Sequence, residues 1–124
     1  MSEELMRRAG TTPTISVIMP AFNAAHYLER SLPPLMEMLE HGTVSEVIVV
    51  DDCSTEASTA ELARRRGARI IRTPRNGGPG AARNLAAKKA VGEILWFVDA
   101  DVIAHRDAPE RIRRVDAALS GRRE

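Results

Sequence analysis

An unbroken apolar run that begins at Ile94 and ends at Val98 constrains the fold of this 124-residue chain more than any other stretch. The run has the length of a strand and no polar alternation, which is typical of a strand covered on both faces of a parallel sheet. Asp99 and Asp101 follow it at once. Because open parallel sheets bind ligands at the carboxyl ends of their strands, the sequence predicts a functional site at these two aspartates.

Strand-like and helix-like segments alternate along the chain. Pro20 should end the first strand, and the adjacent Pro33 and Pro34 should kink the first helix or restart it. Ser58 and Glu61 have the spacing of a helix-capping box. The predicted strands are residues 14–19, 44–50, 68–72 and 94–98, and the predicted helices are residues 24–40, 60–66, 81–90 and a last helix after position 107.

This alternation predicts an α/β fold, a Rossmann-like three-layer α/β/α arrangement with a parallel sheet of strand order 3-2-1-4. In that order the winding reverses between strands one and four, so Pro20 and Asn23 should lie beside Asp99 and Asp101 around a nucleotide-sized crevice. The chain has the length of one domain, which we expect over residues 14–119 between tails at 1–13 and 120–124.

Composition argues against several partners. A net charge of +1 with 28% charged residues gives no strong field, so neither nucleic acid nor an anionic membrane is expected as the main partner. No stretch approaches the roughly 20 apolar residues of a membrane span, and the N-terminus lacks a signal-peptide core. The single cysteine, Cys53, suits a reducing compartment. We expect a cytoplasmic protein, either free or, in a full-length protein, at the membrane face.

Two pairs of carboxylates follow predicted strands: Asp51 with Asp52, and Asp99 with Asp101. Such a pair is too small to enclose a hard divalent cation, but it suits Mg²⁺ or Mn²⁺ held jointly with a phosphorylated ligand. Carboxylates after a strand also serve as helix caps or turn formers. From the residues alone, both interpretations stay open for each pair.

The glycine-rich segment at residues 76–80 is a turn by composition and precedes a predicted helix. Its backbone N–H groups could meet a phosphate. Arg83, however, stands where a dinucleotide-binding fingerprint would end in glycine, and the segment follows the third strand instead of the first. The sequence therefore argues against an NAD site.

Four motifs occur in order at residues 15–23, 47–55, 76–84 and 92–101. Together they resemble the nucleotide-sugar-binding half of the family 2 glycosyltransferases, which have the GT-A fold. The resemblance implies a nucleotide-diphospho-sugar donor, a UDP-sugar in the first place, bound with Mn²⁺ or Mg²⁺, and transfer of the sugar to an unknown acceptor. Cys53 departs from the pattern, since the family usually has glycine there.

The resemblance also implies roles for residues of the first two motifs. Pro20, Ala21 and Phe22 would line the base pocket. Asp52, with Asp51 beside it, would form hydrogen bonds with a uracil-type base.

For the last two motifs the resemblance places Arg83 and Asn84 near the nucleotide. Asp99 would contact the ribose or the metal, and Asp101 would bind the cation that bridges the diphosphate. In the family the general base and the acceptor-binding half come well after these motifs, so the base is expected beyond Glu124. We therefore expect the isolated chain to be inactive or nearly so.

Two other functions stay open at the level of sequence. The strand followed by Asp99 and Asp101 also matches the nucleophile and acid pair of haloacid-dehalogenase-like phosphatases, although too little chain follows for their later motifs. A non-catalytic nucleotide-binding module is the other alternative. The segment from Ile94 to Val98 lies at a sheet edge in the predicted order and lacks lysine or proline, so a homodimer through this edge is also expected.

Overall fold

The computed structural model describes residues 12–122, which form a parallel four-stranded sheet of order β3-β2-β1-β4 with helices on both faces. This confirms the predicted fold class and strand order. Residues 1–11 and 123–124 of the predicted tails lie outside the described part. The strands are β1 (Ile15–Ala21), β2 (Glu46–Asp51), β3 (Arg69–Arg72) and β4 (Ile94–Phe97), and the helices are α1 (Ala25–Glu40), α2 (Ser58–Arg65), α3 (Gly78–Lys89) and α4 (Ala108–Arg122).

Successive residues of β1 point to opposite faces of the sheet and so define two hydrophobic cores. Val17 and Met19 lie in the larger core, with residues of α1 and α2, whereas Ile18 lies in a smaller core on the other face. Among the described residues, the helix side chains of the smaller core come from α3: Ala82 and Ala86 are buried in it, and Leu85 packs against it partly buried. The three-layer arrangement is therefore asymmetric, and α3 has little apolar surface with which to hold its position.

Pro20 does not end β1, which continues to Ala21. Ile18 accepts a hydrogen bond from Val98 N–H at 3.0 Å, so the next residue but one, Pro20, also faces β4. Proline has no N–H to continue that ladder. The pairing with β4 therefore stops, and Val98 falls outside the strand, while the pairing with β2 on the other side of β1 persists to Ala21 and Asp51.

The adjacent prolines do not divide α1, which contains both Pro33 and Pro34 within one helix. Proline removes the hydrogen bonds to the carbonyls four residues earlier, those of Glu29 and Arg30. Both of those residues are exposed, so water can satisfy the freed carbonyls. The buried leucines on the opposite face keep the helix packed against the sheet.

The predicted capping box at Ser58 is wrong, because α2 begins at Ser58 itself and Ala57 holds the cap position without a side-chain hydrogen bond. The inward-facing hydroxyl belongs to Thr59, which is fully buried and accepts a hydrogen bond from Ala24 N–H at 3.1 Å. Thr59 thus connects the start of α2 to the start of α1.

A carboxylate at the amino end of the sheet holds the segment between α3 and β4. Glu46 accepts hydrogen bonds from Val91 N–H at 2.7 Å, from Arg69 at 3.2 Å and from the Ser16 hydroxyl. Ser16 in turn accepts a bond from Gly92 N–H at 2.7 Å. A Cβ at Gly92 would lie 2.5 Å from the Ser16 oxygen, so the close approach requires glycine at this position.

At the far end of the chain, α4 continues to Arg122, past the predicted domain boundary. Ile112 packs against the larger core, whereas Val115 and Leu119 are exposed. Within residues 12–122, no helix combines the length and the apolarity that crossing a membrane would require.

We predict that Glu46→Gln destabilises the protein by about 1–3 kcal/mol at neutral pH, because one amide oxygen cannot accept all the bonds that the carboxylate accepts. Burial by itself would raise the pKa of Glu46, but the bonds from Ser16, Val91 and Arg69 and the charge of Arg69 lower it overall. This stabilisation is therefore complete above pH 4.5, the ordinary value, and is lost as the pH falls through the lower pKa of the folded state.

Urea unfolding of the wild type and of Glu46→Gln between pH 3 and pH 7 measures the difference, with the exposed Glu40→Gln as control. A stability gap that persists unchanged at the lowest pH, or a loss equal to that of the control, would contradict the prediction.

Candidate functional site

The carboxyl ends of β1, β2 and β4 surround a cleft of about 510 Å³. Six of the nine residues proposed from sequence line it, and three do not. Those that line it are Pro20, Ala21, Phe22, Asp52, Arg83 and Asp99, joined by Asn76, Gly78 and Pro79. Asp51, Asn84 and Asp101 are not in the lining. The fold thus brings together residues that lie up to 79 positions apart, as the predicted strand order requires.

Asp52 lies at the centre of this arrangement and is only 4% exposed. One carboxylate oxygen, Oδ1, accepts bonds from the Thr73 hydroxyl at 3.0 Å and from Gly77 N–H at 3.1 Å. The other, Oδ2, accepts a bond from Gly78 N–H at 2.9 Å. The amides that could have met a phosphate at the start of α3 are therefore occupied by a protein carboxylate.

Gly77 and Gly78 are each required at their positions for a different structural reason. Gly78 has a φ of +87°, a left-handed conformation that strongly favours glycine. At Gly77 a Cβ would lie 2.9 Å from the Cβ of Ala81. The glycine-rich turn therefore serves to bring its N–H groups onto Asp52 at the start of α3.

Asp51 is fully buried beside the cleft and is used within its own loop. It accepts a bond from Arg72 at 2.7 Å and one from Ser54 N–H at 2.9 Å, and Arg72 also donates to the Ser54 carbonyl at 3.1 Å. These contacts fix the loop that carries Asp52. A contact between Asp51 and a base stays a prediction. In the structure, the side chain of Asp51 stabilises the loop next to the cleft.

Cys53 has a φ of +55° in this loop. Left-handed backbone is the conformation that glycine adopts at least cost, so the structure explains why glycine would suit this position and not why cysteine stands there. Asn23, with a φ of +46°, connects the loop to the first motif: its N–H donates to the Ser54 hydroxyl at 2.9 Å and its amide donates to Thr55 at 2.9 Å. The loops after β1 and β2 therefore form one unit.

Asp99 and Asp101, the acidic pair after β4, lie on a turn. The turn is closed by a hydrogen bond from Val102 N–H to the Asp99 carbonyl at 3.1 Å. The Asp99 carboxylate is 3.2 Å from Arg83 of α3, and both side chains are partly exposed. Exposed ion pairs of this kind are weak, so both groups remain available to a ligand. Asp101 and Asn84 are exposed and do not line the cleft.

Among residues 12–122, no group of three or more His, Cys, Asp or Glu side chains could hold a metal ion by itself. Mg²⁺ and Mn²⁺ commonly bind through one or two carboxylates together with phosphate oxygens of a substrate. Asp99 and Asp101, two residues apart on one exposed turn, fit that arrangement.

A family model described as Glycosyl transferase family 2 matches residues 16–115, which contain nearly all of the four motifs. The chain belongs to this glycosyltransferase family. The membership confirms the resemblance seen in the sequence and favours a transferase over the phosphatase alternative.

Three relatives illustrate the similarity. The chain is 38% identical over 90 residues to the poly(ribitol-phosphate) beta-N-acetylglucosaminyltransferase TarS of Staphylococcus aureus, covering 69% of this chain and 16% of TarS. The crystal structure of TarS 1-349 with UDP-GlcNAc gives a TM-score of 0.69 at 33% identity, over 82% of this chain and 30% of that one.

The mannosyltransferase PcManGT of Pyrobaculum calidifontis, in complex with GDP-Man and Mn²⁺, gives a TM-score of 0.71 at 28% identity, over 82% of this chain and 32% of that one. The structure of glucosyl-3-phosphoglycerate synthase of Mycobacterium tuberculosis, in complex with Mn²⁺, UDP-glucose and phosphoglyceric acid, gives a TM-score of 0.66 at 28% identity. The match covers 86% of this chain and 40% of that one. This chain thus spans less than half the length of these glycosyltransferases.

Four residues of this site were given no individual role from the sequence. Asn76, Gly78 and Pro79 line the cleft, but their segment had been interpreted as a turn whose backbone N–H groups could meet a phosphate. Thr73 supports Asp52 from behind, and no signal in the sequence marked it, because a threonine after a strand is common in any sheet.

Proposed function

We propose that this chain is the donor-binding half of a family 2 glycosyltransferase and that its cleft binds the nucleoside diphosphate of a sugar nucleotide, with UDP as the nucleotide. One observation carries the proposal. A single cleft contains a hydrogen-bond acceptor that the protein holds in place (Asp52), an aromatic side chain in its wall (Phe22) and the Arg83–Asp99 ion pair. Structures of relatives with UDP-GlcNAc and UDP-glucose support it.

The base would lie between the first two loops. Phe22 is 46% exposed in the cleft wall and offers a ring on which a base can stack, and Pro20 and Ala21 also line the cleft. Asp52 is held in place by three protein donors before any ligand arrives. A pre-positioned acceptor loses little freedom when a base N–H binds to it.

Asp101, with Asp99, would hold Mn²⁺ or Mg²⁺ together with the diphosphate. The complexes of PcManGT and glucosyl-3-phosphoglycerate synthase with Mn²⁺ support this assignment. A bound divalent cation stabilises the negative charge that develops on the leaving nucleoside diphosphate as the sugar is transferred.

Arg83 would supply a fixed positive charge on the same side of the diphosphate, because its guanidinium already reaches the Asp99 carboxylate. Asn84, the next residue of α3, would lie at the edge of the nucleotide. We assign the general base to none of the described residues. Since general-base catalysis commonly contributes about 10²- to 10⁴-fold, this chain alone should hydrolyse its donor slowly and transfer little sugar. We place its activity in the cytoplasm.

We predict that UDP binds in the presence of MnCl₂ with at least about tenfold higher affinity than in its absence, and that Asp101→Ala removes this difference. Isothermal titration calorimetry measures both, and Asp116→Ala, which changes a partly exposed aspartate of α4, is the matched control. A folded wild type that gives no heat with UDP and Mn²⁺ would overturn the proposal, and so would a metal effect that survives in Asp101→Ala.

A second proposal concerns the exposed edge of β4. Ile94 and Val98 donate their N–H groups to β1, so the backbone groups of Leu95 and Phe97 face away from the sheet. The side chains of Leu95 and Phe97 are 36% and 43% exposed on the face that α3 covers only in part. Unpaired backbone beside exposed apolar side chains favours association with another strand. We propose a homodimer through this edge.

Light scattering across a dilution series tests this dimer. We expect Phe97→Lys to shift the protein to a monomer because the lysine charge would be buried in the interface, whereas Val115→Lys, at a 59% exposed position of α4, should leave the dimer intact. A wild type that stays monomeric at high concentration, or a dimer that tolerates Phe97→Lys, would contradict it.

A further inference from the structure

Phe22, the exposed aromatic side chain in the cleft wall, lies between two hydrogen bonds that both reach the loop after β2. On one side, the Ala21 carbonyl accepts a bond from Asp52 N–H at 2.9 Å. On the other side, Asn23 N–H donates to the Ser54 hydroxyl at 2.9 Å. The backbone on both sides of Phe22 is therefore attached to the loop that carries Asp52, and these attachments set the distance between the ring and that carboxylate.

The side chain of Asn23 adds two further bonds to the same loop. Its amide nitrogen, Nδ2, donates to the Thr55 hydroxyl at 2.9 Å, and its amide oxygen, Oδ1, accepts a bond from Glu56 N–H at 3.1 Å. Asn23 lies outside the cleft lining, so these bonds hold the loops together without forming part of the cleft wall. With the backbone bond to Ser54, one residue thus makes three bonds between the two loops.

The loop that Asn23 contacts is itself held by the sheet. Ser54 is 4% exposed, and its N–H donates to Asp51 Oδ1 at 2.9 Å. Arg72 of β3 donates to the other oxygen of the same carboxylate, Oδ2, at 2.7 Å. A series of contacts therefore connects the loop after β1 to β2 and β3, and Asn23 is the residue through which the backbone next to Phe22 joins it.

The backbone of Asn23 is in an unfavourable conformation that the side-chain bonds help to maintain. Its φ of +46° is left-handed, which residues other than glycine adopt at a cost, although asparagine tolerates it better than most. This turn leads the chain from Phe22 into α1, which begins at Ala25. Such a conformation persists where surrounding contacts hold it, and here the bonds to Thr55 and Glu56 do so.

We infer that Asn23 is a positioning residue of the base pocket: it holds Phe22 at a fixed distance from Asp52, so that the space between the two loops is formed before the nucleotide binds. The inference rests on the proposed function and deepens it, since that function places the base between these loops. A pocket that is already formed spares the ligand the cost of ordering a loop, and this gain is lost when the side chain of Asn23 is removed.

Isothermal titration calorimetry with UDP and MnCl₂ tests the inference on Asn23→Gly and Asn23→Asp. Glycine adopts the left-handed conformation freely, so Asn23→Gly removes the side-chain bonds without adding backbone strain. We expect it to bind UDP at least about fivefold more weakly than the wild type. Asn23→Asp keeps an acceptor for Glu56 N–H and can accept the hydroxyl proton of Thr55, so it should bind UDP more tightly than Asn23→Gly.

A double-mutant cycle tests whether Asn23 acts through Phe22. In a protein that carries Phe22→Ala, adding Asn23→Gly should weaken UDP binding by less than about twofold, because the ring that Asn23 positions is gone. Chemical-shift titration measures those affinities that are too weak for calorimetry. An equal loss of affinity with and without Phe22→Ala would show that Asn23 supports the loops in general, and it would overturn the inference.

Thr55→Val removes the hydroxyl that Asn23 contacts and leaves the first loop unchanged, so it replaces Asn23→Gly if circular dichroism shows that the latter does not fold. Its matched control is Thr43→Val, because the Thr43 hydroxyl donates to the Met38 carbonyl at 3.0 Å ahead of β2, at the opposite end of the sheet from the cleft. UDP affinity should fall in Thr55→Val and stay unchanged in Thr43→Val.

The outcomes separate this inference from the proposed function. A wild type that binds no UDP overturns the proposed function. A wild type that binds UDP, together with a folded Asn23→Gly that binds it equally well, overturns the role of Asn23 and leaves the proposed function standing. An Asn23→Asp that binds no more tightly than Asn23→Gly also overturns the role of Asn23.

Discussion

The buried carboxylate of Asp52 is the interaction on which the rest of the site depends. It follows the last residue of β2 and accepts the N–H groups of Gly77 and Gly78, which begin α3. These amides are among the unsatisfied donors at a helix start, where a negative charge is stabilising. Without Asp52, Gly77 N–H would lose this acceptor and Gly78 N–H would keep only its bond to Asn76 Oδ1 at 3.2 Å, and α3 would lose the contact that sets the position of Arg83.

A carboxylate at the opposite end of β2 holds the other end of α3. Glu46 begins β2 and accepts Val91 N–H, just after the helix has ended. In the small core beneath α3, the buried side chains from this helix are Ala82 and Ala86, with Leu85 packed against them partly buried, so apolar packing contributes only modestly to its position. The two polar contacts, about the length of β2 apart, therefore determine where α3 lies against the sheet and hence where Arg83 meets Asp99.

The strand order and most of the cleft could be predicted from sequence, because apolar runs, strand–helix alternation and carboxylates at strand ends are local patterns with one common geometric solution. Where the structure differs from the sequence prediction, the cause is an interaction between residues far apart in the sequence or on neighbouring strands, which no local pattern shows. Pro20 stops pairing on one side of β1 only, and which side depends on the register with β4. Asp51 and Asp52 are adjacent, but their alternating directions send one to Arg72 and the other to the cleft. The role of Thr73 depends on a carboxylate 21 positions away.

The central claim is that nucleotide and metal bind together at this one rim, and nuclear magnetic resonance of the ¹⁵N-labelled protein tests it most directly. With UDP and Mg²⁺, we expect the amide signals of Phe22, Gly77 and Gly78 to shift. Traces of paramagnetic Mn²⁺ should then broaden the amides from Asp99 to Val102, and should do so only when UDP is present. Broadening at these residues without UDP, or shifts confined to the opposite end of the sheet around Glu46, would contradict the account.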